Sequence, residues 1–128
     1  MATGVSDAEA ARFAVRAEEF LAVAAGCVES GRFNAAAFNA AQSMMNANDA
    51  LTIFHLGKRA SADHREALLL HLDVVRLLND GSQRARLKAA LDLRSSAGYH
   101  GLPIPKGEAE KVVRHAAEFA IWVKRNLK

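Results

Sequence analysis

In the stretch LRSSAGYHGLPIP (residues 93–105), a permanent cation, Arg94, and a titratable imidazole, His100, stand six positions apart. Histidine exchanges a proton near neutral pH. Arginine grips a phosphate and stabilises charge that develops on it. Together they are sufficient for metal-free attack of an RNA 2′-hydroxyl on its neighbouring phosphate, and they equally suit binding a phosphate without cutting it. Ser95, Ser96 and Tyr99 add hydroxyls that would bind such a ligand. Catalysis would therefore rest on Arg94 and His100, and ligand contacts on Ser95, Ser96 and Tyr99.

Helical geometry places these groups. Leu87, Ala90, Leu91 and Arg94 fall at offsets of 0, 3, 4 and 7, so Arg94 sits on the face that the helix covers. A guanidinium there needs an anionic or hydrogen-bonding partner, or must reach water along its stem. A structural arginine that pairs with a carboxylate from another helix meets that need as well as a phosphate-binding one does. Gly98 lies between Arg94 and His100, where the chain can fold back.

The remaining candidates carry less. His64 and His71 are seven apart, whereas helical metal ligands usually sit three or four apart, so no metal or other cofactor is expected. His64 reads as a helix-start residue or a partner across the bundle, and His55 and His115 as surface or packing residues. Asn46, Asn48 and Asp49 interrupt an apolar pattern and read as a polar groove or a solvated face. Met44 and Met45 fit a core or a dimer contact. Arg84, Arg86 and Lys88 spread around their helix instead of forming a DNA-reading stripe.

Five helical segments must hold the motif. Ser6 and Glu9 form a capping box before Phe13, Ala17, Phe20, Leu21, Ala24 and Val28. The second segment runs from near Asn34 to His55 and stops at Gly57. Ser61 is expected to cap a third, with Leu68, Leu69, Leu72, Val75 and Leu78 as its stripe and Asn79-Asp80-Gly81 as its turn. Ser82 opens a shorter fourth. Pro105 leads into the last, which carries Val112, Val113, Ala116, Phe119, Ala120 and Val123. These features predict an all-α fold, an up-and-down bundle of four long helices plus one shorter helix, as one domain over residues 1–128 with its core at about 6–127.

Composition sets outer limits. With 51% hydrophobic and 24% charged residues in 128, the chain can bury a core and is not intrinsically disordered. No apolar run reaches membrane-spanning length, and the start lacks the pattern of a signal peptide. The single cysteine, Cys27, fits a reducing compartment, so a cytoplasmic protein without membrane attachment is expected. Charge is uneven: residues 1–80 hold 7 basic against 10 acidic side chains, and residues 81–128 hold 10 against 4. That asymmetry suits either an anionic partner for the second half or mutual attraction of the two halves.

Three segments resemble the HEPN family: the alanine-rich FNAAAFNAAQSMMNANDALTIFHLGKRA, the following ADHREALLLHLDVV with its early histidine, and LKAALDLRSSAGYHG. The last fits the family's arginine, four-to-six residues, histidine pattern, with five residues between Arg94 and His100. The resemblance implies a helical bundle that forms a homodimer and brings two motifs into one cleft. It implies one of two functions. The first is a metal-independent endoribonuclease of a toxin–antitoxin or RNA-targeting defence type, with an antitoxin protein as partner in the former. The second is a non-catalytic module that binds RNA, a nucleotide or a protein. Carried over by position, Arg94 would hold the phosphate and His100 would be the acid/base group. Two departures stand out: active members commonly carry Asn, Asp or His where this chain has Ser95, and some relatives place a tyrosine where Tyr99 falls.

Overall fold

Seven of the 24 residues between Phe33 and Leu56 are alanines, and that choice sets the architecture. Alanine favours helix and lets neighbouring backbones approach closely. The computed structural model describes residues 4–60, 63–98 and 100–128. Its elements are α1 (Gly4–Glu29), α2 (Phe33–Leu56), α3 (His64–Leu78), α4 (Arg84–Gly98) and α5 (Lys106–Arg125). No strand occurs among the described residues, so the all-α bundle read from periodicity is the fold. The shorter length, 15 residues, is shared by α3 and α4.

The bundle is built around α2, which packs against each of the other four helices. Ala36, Ala37, Ala40, Ala41, Met44, Ala47 and Leu51 form its buried apolar side. Against α1 the approach is close enough for Ser43 Oγ to donate to the Ala17 carbonyl at 2.7 Å. Gly57 ends α2 at φ 72°, and its N–H returns to the Ile53 carbonyl.

Several helix ends differ from expectation. α1 begins at Gly4, so Ser6 lies within its first turn and does not cap it; the Ser6 side chain is outside those described. Asp63 is the N-cap of α3, its carboxylate accepting from the Arg65 amide at 2.9 Å, while Ser61 lies outside the described residues. The third helix also turns a different face inward. Ala67, Leu70, His71 and Val74 are buried, whereas Leu69 is 60% exposed and Leu68, Leu72, Val75 and Leu78 are half-buried. Counting apolar side chains cannot find this face, because a small residue and a histidine occupy its centre.

His71 is buried because α2 supplies its partner. Asn48 Nδ2 donates to the Ala67 carbonyl at 3.1 Å, which turns Oδ1 toward His71 Nδ1 at 2.9 Å. The proton therefore sits on Nδ1 of a neutral ring. That ring packs against Phe119 and Trp122, with centroids 5.9 and 5.7 Å away. Trp122 Nε1 in turn donates to Asp80 at 2.8 Å and ties α5 to the turn between α3 and α4. Asn46, Asn48 and Asp49, read as a polar groove or solvated face, are instead interior: they are 4%, 1% and 6% exposed.

Two of these interior groups titrate in opposite senses. Burial pushes the Asp49 carboxyl up to about 7, against the pull of Arg59 and then Arg16. Burial lowers His71 to about 4, helped by Arg84 and opposed by Asp80. From about pH 4 to 6.5 the unfolded chain binds the His71 proton and the folded chain does not, so this group adds stability as pH rises. From about pH 3.8 to 7 the folded chain keeps the Asp49 proton and the unfolded chain has lost it, so this group removes stability as pH rises.

Two predictions follow from the packing and the buried polar pair. Ala17→Leu should overfill the α1/α2 contact and cost about 1–3 kcal/mol in urea unfolding, while Ala25→Leu on the exposed side of α1 should be near neutral. Asp49→Asn should unmask the His71 slope: its stability should climb between about pH 4 and 6.5, where the wild type stays nearly flat. Above pH 7 the variant should be more stable than the wild type by several kcal/mol. Identical pH profiles for the two proteins would rule out the buried Asp49 carboxyl as a determinant.

Candidate functional site

The fourth helix delivers Arg94 where its periodicity placed it. Leu87, Ala90 and Leu91 are buried against the core, and one turn later Arg94 is half-buried. Its guanidinium carbon lies 5.7 Å from the centroid of the Phe38 ring on α2. A cation at that distance from an aromatic face is attracted by the ring's quadrupole, and the ring shields one side of it from water. The guanidinium is thereby oriented without losing its charge.

Beyond Arg94 the chain is fastened by main-chain bonds. The His100 amide donates to the Ser95 carbonyl at 3.2 Å, and the Leu102 amide donates to the Ser96 carbonyl at 3.3 Å. Gly101 takes φ 65°, a left-handed conformation that glycine adopts without strain. His100 is exposed at this end of α4. The structure thus puts Arg94 and His100 at one helix end, the first half-covered and the second open to solvent. Ser95 and Ser96 are half-buried beside them. Their carbonyls hold the loop, and Ser96 Oγ turns back to the Asp92 carbonyl at 3.5 Å. Tyr99 lies outside the described residues.

Sequence reasoning missed Asn34 and Phe38. Asn34 Nδ2 donates to the Leu102 carbonyl at 2.6 Å, and its Oδ1 accepts from the Ile104 amide at 2.9 Å. Both partners are about 70 positions away in sequence, so only its place at the start of α2 was readable. Phe38 had a weak signal: it is a large aromatic in an otherwise small-residue stretch.

A cleft of about 430 Å³ opens between α4 and α5 and reaches Ser96 at one end. Ala85, Ala89, Leu93 and Val112 give it an apolar floor, with Arg86, Lys111 and His115 among its polar walls. Burial lowers the His115 pKa, followed by repulsion from Arg86, while Glu118 opposes both. Arg86 pairs with Glu118 at 2.9 Å, and Lys88 pairs with Asp92 at 2.9 Å, so positive and negative groups alternate here. Lys124 meets Glu18 of α1 at 3.5 Å, but both are largely exposed and the pair adds little to holding the two halves together.

The other histidines have structural places. His64 is the first residue of α3, as its position suggested. His55 Nε2 donates to the Asn126 carbonyl at 2.6 Å and secures the end of α5. His71 is in the core, far from any metal-ligand role. No group of three or more His, Cys, Asp or Glu able to hold a metal occurs among the described residues. Nor is any described helix long and apolar enough to cross a membrane.

No curated protein matches the chain. The family model described as HEPN domain matches residues 10–126, a span that takes in the central α2, the polar pair of α2 and α3, and the whole Arg94–His100 segment. With that coverage and a five-helix bundle beneath it, the chain belongs to the HEPN family.

Proposed function

We propose that this HEPN protein cleaves RNA as a homodimer, without a metal, using Arg94 and His100 from both copies in one cleft. The observation that carries the reading is the pairing of a half-buried guanidinium, stacked on Phe38, with an exposed imidazole fastened to the same helix end. In the reaction, the imidazole of one copy takes the proton from the 2′-hydroxyl. The oxygen attacks the adjacent phosphorus, the P–O5′ bond breaks, and the other copy's imidazole returns a proton to the leaving 5′-oxygen. Arg94 neutralises the non-bridging oxygens as negative charge gathers on them. The products are a 2′,3′-cyclic phosphate and a 5′-hydroxyl, and no step needs a metal.

Ser95 and Ser96 serve this reading through their carbonyls, which set the loop; the ligand contact expected of Tyr99 lies outside the described residues. Such an activity suits a toxin held by an antitoxin protein or a component of RNA-targeting defence. The non-catalytic reading, a module that binds RNA, a nucleotide or a protein through the same surface, keeps Arg94 as the anion contact and leaves His100 without a chemical task.

Purified protein incubated with mixed-sequence RNA tests the choice. Wild type should cut, with or without EDTA, and sediment as a dimer at micromolar concentration. His100→Ala should abolish cleavage while leaving fold and dimer intact. Arg94→Ala should abolish cleavage and also weaken RNA binding by roughly tenfold, the loss of a charged hydrogen-bonding contact. Cleavage that survives in His100→Ala or vanishes with EDTA defeats the mechanism. RNA bound but uncut by the wild type would support the non-catalytic module.

A further inference from the structure

Asn34 and Phe38 are four residues apart and therefore share one face of α2, near its start. Each reaches a different half of the Arg94–His100 motif. The Asn34 amide donates to the Leu102 carbonyl and accepts from the Ile104 amide, at 2.6 and 2.9 Å. Bonding a carbonyl and the N–H two residues later is what a neighbouring strand would do, so Asn34 holds residues 102–104 extended. The amides of His100 and Leu102, which flank Gly101, bond the Ser95 and Ser96 carbonyls. His100 thus stands between two anchors, the last turn of α4 and the first turn of α2. Four positions along, Phe38 carries the Arg94 guanidinium at 5.7 Å.

We infer that Asn34 and Phe38 are positioning residues: Asn34 sets where His100 stands, Phe38 sets where the Arg94 guanidinium stands, and the first turns of α2 fix the separation of the two. Neither touches the reacting phosphate. The kinetic consequence rests on the RNA-cleaving reading; the geometric one does not. A displacement of about 1 Å in a catalytic group costs up to a hundredfold in rate, so loss of either anchor should appear in kcat.

The experiment compares full-length wild type with Asn34→Ala, Phe38→Leu and Phe38→Tyr. In Asn34→Ala, amide hydrogen exchange should accelerate at His100 and Ile104 while α3 amides keep their protection, and the His100 imidazole resonances should shift. RNA cleavage should fall about tenfold to hundredfold in kcat, with KM changed less than about twofold, since groups that act only through a catalytic residue leave ground-state binding intact. Phe38→Leu should lose kcat likewise, and Phe38→Tyr, which keeps the ring face, should restore it. Unchanged exchange and imidazole resonances in Asn34→Ala would overturn the inference, as would a loss confined to KM or a Phe38→Tyr variant no better than Phe38→Leu. If the wild type cuts no RNA but the exchange and resonance changes occur, the positioning role stands and the nuclease reading falls.

Discussion

The structure depends on burying one helix almost completely. From Ala36 to Ile53, α2 is covered on nearly all sides, with only Phe38, Asn39 and Gln42 partly open. A helix in that position must satisfy two demands at once. Its side chains must be small enough for four neighbours to close on it, and any polar group it carries must find a partner inside. The alanines meet the first demand. Ser43, Asn48 and Thr52 meet the second, through bonds to the Ala17 and Ala67 carbonyls and back to α2 itself, whereas Asp49 Oδ1 is buried without a hydrogen-bond partner among the described residues. A polar side chain left unbonded in such a place would cost about 1–3 kcal/mol.

The central helix also explains why the candidate site is at one end of the bundle. Where α2 begins, its cover is thinner, and Phe38 and Asn34 are half-open. That end is the place where the guanidinium of α4 can lie on an aromatic face and still reach solvent. The main-chain bonds of the loop after α4 close on the same end. Packing in the middle of α2 and access at its start are two consequences of one taper in its burial.

Charge follows a similar logic. Between about pH 4 and 7 the interior holds Asp49 and His71 in their neutral forms, because burial disfavours the charged form of each. Full charges are kept at the surface, where Arg86, Glu118, Lys88 and Asp92 balance one another around the α4/α5 cleft. A wall of alternating sign is a poor track for a polyanion. The positive excess of the second half therefore does not concentrate in that cleft, and Arg94 lies apart from it, half-buried against Phe38.

Helix number and order, the glycine stop after α2, and the inward face of α5 were legible because each depends on local pattern: periodicity, a left-handed cap, a run of good helix formers. The position of Arg94 was legible for the same reason, as the fourth member of the Leu87, Ala90, Leu91 series. What remained hidden depended on partners far along the chain. Asn48 looks solvated until His71 is brought opposite it, and the α3 stripe cannot be counted correctly until that pair is known. Asn34 looks like an ordinary helix-start residue until residues 102–104 fold onto it. Local sequence determined which residues are helical and which side chains lie on one face. Tertiary structure decided which polar groups are buried and what holds the His100 loop, because a buried hydrogen bond exists only when both partners arrive, and no spacing along the chain records that meeting.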